Sequence, residues 1–219
     1  LNHIGLLFDM DGVIIDNHEF HFLAWQKLAN KYDIKISEEF YREKMNGRTL
    51  MELMEVVFKQ EMSKDEARSI GLEKEEIYRT LYKSSLAPTA GLIDFLELAK
   101  KNKIPMAVGT SAPEENVIFT LDGLGIRHYF DAVFDDRSVT KGKPNPEIYQ
   151  KCAAGIEREN KNCIVFEDAI SGIKAGENAG SKVIALATSH SREELSADLI
   201  IDDFTSLNLE QIVQLIDKK

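Results

Sequence analysis

Cysteine is scarce: Cys152 and Cys163 are the only two in 219 residues, and no Cys-x-x-Cys spacing occurs. That excludes a disulfide scaffold and a structural zinc site, and predicts two reduced, buried thiols in a cytoplasmic protein. No apolar run approaches the ~18–20 residues of a membrane span. Residues 1–8 are too short, and too soon followed by Asp9, to read as a signal peptide. Internal repeats and low-complexity tracts are also missing. Cations are outnumbered, with 27 Lys+Arg against 37 Asp+Glu and a formal net charge of −10. A nucleic-acid surface needs a basic excess, as does docking on an anionic membrane, so neither partner is expected. A small phosphorylated molecule is not excluded, because it needs only a local cationic pocket. What remains is ordinary globular composition, 43% hydrophobic and 29% charged. A monomer is expected.

Residues 4–8 are a short apolar run that stops at Asp9, the pattern of a buried strand. Residues 19–85 then change character, rich in Glu, Lys, Leu and Met. Phe20, Ala24 and Leu28 share a helix face, widened by Trp25 and Ala29. Thr49-Leu50-Met51-Glu52 and Ser63-Lys64-Asp65-Glu66 both read as capping boxes. After Pro88 and Gly91 strands and helices alternate. Strands are expected at 104–108, 132–134, 164–166, 183–186 and 199–201. Helices are expected at 92–101, from a capping box at 111–114 to about residue 124, from Asn145-Pro146 onward, at 172–179 and at 209–216. The fold class is therefore α/β: a Rossmann-like, doubly wound parallel sheet interrupted after its first strand by an all-helical insertion. The division expected is 1–16 plus 88–219 as core and 17–87 as helical cap.

Ligands of such sheets bind beyond the carboxyl ends of the strands. There the first strand delivers Asp9 and Asp11, the second Thr110 and Ser111, the loop after the third Lys143, and the fourth Glu167 and Asp168. Four carboxylates in one pocket repel one another unless a hard cation sits among them, and Mg²⁺ suits oxygen ligands together with a substrate phosphate. A hydroxyl and a lysine complete a clamp for a phosphoryl group. One carboxylate can act as nucleophile and another, two residues on, as general acid and base. Each piece has a plain structural reading on its own. Asp11-Gly12 fits a turn, Ser111 a helix cap, Lys143 a surface lysine, and Glu167-Asp168 a solvated helix start. All four at four strand ends make a site the simpler account.

These motifs, Asp9-x-Asp11-Gly12-Val13, Thr110, Gly142-Lys143-Pro144-x-Pro146 and Glu167-Asp168-x-x-x-Gly172, resemble the haloacid dehalogenase superfamily, specifically its β-phosphoglucomutase-like phosphatases with a helical cap. The resemblance implies Asp9 as nucleophile, Asp11 as general acid/base, and Thr110 and Lys143 as holders of the phosphoryl group. It implies Mg²⁺ on Asp9, Glu167, Asp168 and the Asp11 carbonyl. In the cap, His21 resembles a histidine that assists Asp11 in the mutases, Arg48 of Gly47-Arg48-Thr49 a substrate-specificity residue, and Lys74 a lysine that reaches the active site. Ser111 is expected to be a substrate contact. Hinges are expected near 16–17 and 86–91.

The sequence departs from the mutase pattern at Ala112-Pro113-Glu114, where mutases place polar and basic residues for a second phosphate. Glu114 would repel that phosphate unless it is turned into the capping box. The expected function is a Mg²⁺-dependent phosphatase of a small phosphorylated metabolite, a sugar phosphate, through an aspartyl phosphate. Its alternatives are a β-phosphoglucomutase interconverting β-glucose 1-phosphate and glucose 6-phosphate, and a non-catalytic binding module.

Overall fold

The structure, a computed structural model, describes residues 1, 3–45, 50–59 and 62–217. The chain divides into two compact units, Leu1–Asp16 with Leu86–Lys219, and Asn17–Ser85.

The second unit is helical: α1 (His18–Asn30), α2 (Glu38–Phe40) running into a π-helical turn (Tyr41–Met45), α3 (Leu50–Phe58) and α4 (Lys64–Tyr82). Helix α1 buries Ala24, Trp25, Leu28 and Ala29, the face its apolar spacing marks. Phe20 stays half-buried and tilts onto Tyr82 at 4.5 Å. Helix α4 opens with the expected capping box. Ser63 Oγ accepts the Glu66 N–H at 3.3 Å, and Glu66 Oε2 accepts the Ser63 N–H at 3.0 Å. Thr49, the cap of the other expected box, lies outside the described residues, as do Gly47 and Arg48.

The first unit carries a parallel sheet of β1 (Gly5–Phe8), β2 (Met106–Gly109), β3 (Ala132–Phe134), β4 (Cys163–Glu167), β5 (Lys182–Leu186) and β6 (Leu199–Ile201), in the order β3-β2-β1-β4-β5-β6. Its helices are α5 (Leu92–Lys101), α6 (Glu114–Val117), α7 (Glu147–Gly155), α8 (Ile170–Ala179) and α9 (Leu209–Asp217). Strands β1, β2 and β4 are buried along their whole length, which is why each reads as an unbroken apolar run. No described helix is long and apolar enough to cross a membrane.

Alternating side chains give the sheet two different faces. Phe8 stacks on Phe166 at 4.6 Å, and Phe95, Phe130 and Phe204 close around the pair. On the other face Leu7, Ala107 and Val165 pack with Tyr149, Cys152 and Ile173 of α7 and α8. Both thiols are buried and free, and burial pushes Cys163 up to about 12, which keeps it unreactive.

One helix start differs from expectation. Ser111 does not cap: α6 begins at Glu114, after Pro113 in extended conformation with ψ 159° and no side-chain cap. Ala112 precedes a proline and is steered away from helical geometry. Thr110 Oγ1 instead accepts the Ala112 N–H at 3.0 Å. The helix then widens into a π-helical turn, Ile118–Asp122. At α7 the expected cap is present, with Asn145 Oδ1 accepting the Glu147 N–H at 3.1 Å.

Candidate active site

Strand register brings the first carboxylates together. Leu7 pairs with Val165 and Phe8 with Phe166, so one residue further Asp9 comes level with Glu167. Alternation turns both toward the α7 side of the sheet, because Leu7 and Val165 already face it. The Asp9 N–H donates to the Phe166 carbonyl at 2.9 Å and fixes this end of the strand. Lys143 arrives from the loop before α7. Its Nζ lies 2.6 Å from Asp9 Oδ1, 2.6 Å from Glu167 Oε1 and 3.4 Å from the Gly109 carbonyl.

Asp9, Glu167 and Asp168 are buried, with exposures of 7%, 1% and 6%, and one oxygen of each lies within 4.8 Å of the others. Burial pushes the Asp9 carboxyl up to about 7; Lys143 opposes that shift, while Glu167 and Asp11 add to it. Asp168 is pushed well above the usual carboxylate range by burial, then by Glu167 and Asp9. Burial works against the Lys143 ammonium, but Asp9 and Glu167 outweigh it and raise its pKa. One ammonium does not balance three buried carboxylates. The rest of the charge is relieved by protonation or by a cation, and an all-oxygen donor set of this charge fits Mg²⁺.

Asp11 sits half-buried in a tight loop, where the Met10 carbonyl accepts the N–H of Val13, Ile14 and Ile15 at 3.3, 2.9 and 3.3 Å. Asp11-Gly12 is thus a turn and part of the cluster at once. Gly12 has φ +76°, and a Cβ there would fall 2.0 Å from Asp168 Oδ2. Thr110 is 2% exposed, and its N–H donates to the Phe134 carbonyl at 3.0 Å. Ser111 beside it is exposed. The strand ends therefore gather Asp9, Lys143, Glu167 and Asp168 closely, with Asp11 near enough for its charge to act on Asp9.

Gly172 has an equally local reason. A Cβ on it would meet Glu167 Oε1 at 1.8 Å. That carboxylate cannot easily retreat, because Oε2 accepts the N–H of Asp168 at 3.0 Å and of Ala169 at 3.1 Å. Gly172→Ala is expected to cost about 1–3 kcal/mol of overpacking. For a chain of this size that lowers Tm by roughly 2–12 °C. An unchanged calorimetric Tm would mean that Glu167 is not held as described.

Three features of this unit escaped sequence reasoning. The Tyr149 hydroxyl donates to Glu167 Oε1 at 2.6 Å, and its ring centroid lies 5.0 Å from Lys143 Nζ. Thr188 Oγ1 donates to the Gly12 carbonyl at 2.6 Å and Ser189 Oγ to the Asp168 carbonyl at 2.9 Å. Glu147 Oε2 accepts from Thr140 N, Thr140 Oγ1 and Lys141 N at 3.0, 2.8 and 3.1 Å, which ties down the loop carrying Lys143. Those bonds, the Thr140 hydroxyl first, hold Glu147 down at about 2. The strand-end rule, applied after β5 as well, finds Thr188 and Ser189.

In the helical unit, His21 and Lys74 meet. Lys74 is 5% exposed, with Nζ 2.5 Å from His21 Nδ1 and 2.9 Å from Glu75 Oε1. His21 stacks on Tyr78 at 4.0 Å, and the Asn17 amide lies 3.3 Å from Nε2 and 2.6 Å from Tyr78 Oη. Trp25 is core, as its helix face implies. Arg48 lies outside the described residues. Glu114 and Glu115 flank Arg137 at 3.4 and 3.8 Å on an exposed surface, so Glu114 is engaged by a cation and not by a capping box.

Comparison with known proteins follows the geometry. Residues 6–186 match the family profile described as haloacid dehalogenase-like hydrolase. A fructose-1-phosphate phosphatase of Escherichia coli is 31% identical over 182 residues, covering 83% of this chain and 95% of its own. A β-phosphoglucomutase of Bacillus subtilis is 30% identical over 217 residues, 94% of this chain and 92% of its own. A crystal structure of a family IA, variant 3 haloacid dehalogenase hydrolase from Entamoeba histolytica superposes with a TM-score of 0.92 at 32% identity, covering 97% of this chain and 99% of that one.

Proposed function

The chain belongs to the haloacid dehalogenase-like hydrolases, and on that premise we propose that it is a Mg²⁺-dependent phosphatase of a small sugar phosphate, working through an aspartyl phosphate. The observation that carries this reading is the contact of Lys143 Nζ with both Asp9 Oδ1 and Glu167 Oε1, amid buried carboxylates drawn from separate strand ends. Asp9, Glu167 and Asp168, with the Asp11 carbonyl, would hold Mg²⁺, which supplies positive charge opposite an anionic phosphoryl group.

The chain's own residues divide the remaining work. Asp9, at a rigid strand end, attacks phosphorus in line and forms a P–O bond as the ester P–O bond breaks. Asp11 gives its proton to the departing alkoxide. It then takes a proton from water, whose oxygen attacks phosphorus and releases Asp9 and inorganic phosphate. Lys143 supplies charge-assisted hydrogen bonds and the Thr110 hydroxyl a further donor to the phosphoryl oxygens, so catalysis is mostly positioning and charge stabilisation.

A mutase is the second reading, favoured by the His21–Lys74 pair. Against it stands the surface after Thr110, where Glu114 and Glu115 surround Arg137 and a second phosphate would meet two carboxylates. The intact Asp9/Asp11 pair speaks against a non-catalytic module. Fructose 1-phosphate, named for the E. coli relative, heads the substrates to try. In a panel of sugar phosphates with Mg²⁺, phosphate released is expected to equal substrate consumed. Isomerised product without phosphate release would favour the mutase, and no turnover with tight binding the module.

A further inference from the structure

The proposed roles leave Tyr149 unused, although it touches the cluster directly. It is fully buried on α7, among Ile148, Cys152 and Ala153. Its hydroxyl donates to Glu167 Oε1 at 2.6 Å. A buried tyrosine hydroxyl needs a partner, but any backbone carbonyl would serve; here the partner is a carboxylate of the charged cluster. The same oxygen also accepts from Lys143 Nζ at 2.6 Å. Oε2 accepts two backbone N–H groups, from Asp168 and Ala169. Each carboxylate oxygen has about two lone-pair directions, so four donors meet four acceptor sites.

These donors differ in how firmly they are held. The two on Oε2 belong to the backbone at the start of α8. Lys143 ends a flexible four-carbon stem and also serves Asp9. The Tyr149 ring is locked in the core, 5.0 Å from Lys143 Nζ. Gly172 closes the remaining side of Oε1, leaving no room even for a methyl group. Tyr149 is therefore the one rigid side-chain donor on Oε1 among the described residues, and Lys143 the one that can move.

We propose that Tyr149 is a positioning residue: its hydroxyl holds the Glu167 carboxylate in place when Lys143 turns to a phosphoryl group, so that the lone pair Lys143 vacates on Oε1 is already aimed at a divalent cation. This rests on the phosphatase reading for the identity of the cation. Partners that orient a metal-binding carboxylate typically govern affinity or activity by about 10–100-fold.

The test is Tyr149→Phe, which keeps the buried ring and its contact with Lys143 and removes only the oxygen. Mg²⁺ affinity is read by isothermal titration calorimetry, the fold by circular dichroism and by Tm in EDTA. The expected result is Mg²⁺ binding weakened by about tenfold. Turnover at saturating Mg²⁺ is expected to stay within about threefold of wild type, so the defect lies in the Mg²⁺ requirement rather than in kcat. Should Tyr149→Phe fail to fold, Tyr149→Met, a flexible apolar side chain that also lacks the donor, replaces it under the same readouts. A Tm in EDTA that falls while Mg²⁺ affinity is unchanged would reveal a structural hydroxyl only and overturn the proposal. Wild-type protein that binds Mg²⁺ while the variant matches it overturns this proposal and leaves the phosphatase reading standing. Wild-type protein indifferent to Mg²⁺ removes that reading and this proposal together.

Discussion

Asp9→Asn is expected to abolish phosphate release, by at least about 10⁴-fold, while leaving the chain folded. The side chain keeps its shape but loses the oxygen that bonds to phosphorus, and Asp11, two residues on in the loop, is assigned the proton transfers instead. The fold is expected to survive for a specific reason. Removing one partner of a buried ion pair commonly costs about 3–5 kcal/mol, because the other charge is stranded. Here Lys143 keeps Glu167 at 2.6 Å, so it is not stranded. Burial already pushes Asp9 up to about 7, so a neutral amide costs this site less than it would cost an ordinary carboxylate position. Phosphate assays with circular dichroism at matched concentration decide it. Unfolded protein would show that the Asp9–Lys143 contact carries stability, and undiminished turnover would remove Asp9 from the reaction.

Chelation is the second large effect. With EDTA, turnover is expected to fall to background and to return when Mg²⁺ is restored. Binding to the folded state alone stabilises it by about 2.7 kcal/mol at a hundred times Kd. At roughly 2–4 °C per kcal/mol for a chain of this length, that raises Tm by roughly 5–11 °C. The cause is the excess of buried carboxylate over ammonium at Asp9, Glu167, Asp168 and Lys143. A thermal scan showing no shift with Mg²⁺, with activity retained in EDTA, would mean that protonation alone settles this charge.

The fold was readable because parallel strands are short apolar runs, unbroken in the buried β1, β2 and β4 and still legible in the half-buried outer strands at 132–134 and 199–201. The doubly wound sheet followed from alternation with helices. Much of the candidate site was readable for the same reason. A polar residue directly after such a run has only the sheet edge to occupy, which singled out Asp9, Glu167 and Asp168. Other parts depend on contacts between distant segments. Tyr149 stands 18 residues before Glu167 on a helix face that is otherwise apolar, so its hydroxyl had no local sign. Gly172 was visible as a motif position, but its reason, a carboxylate where a Cβ would go, is purely tertiary. At Ser111 local chemistry misled: the capping pattern was present, but Pro113 kept the chain extended until Glu114. The net charge of −10 also takes on a second meaning. Part of it sits at the sheet edge, where the buried carboxylates of Asp9, Glu167 and Asp168 crowd the single ammonium of Lys143.

Rapid acid quench during turnover of a ³²P-labelled sugar phosphate tests the central claim most directly. Peptide mapping of the quenched wild-type protein is predicted to place a hydroxylamine-labile phosphate on the peptide that contains Asp9, with none on the Asp9→Asn variant. Equal labelling of the two proteins, or turnover by the variant at the wild-type rate, would contradict it.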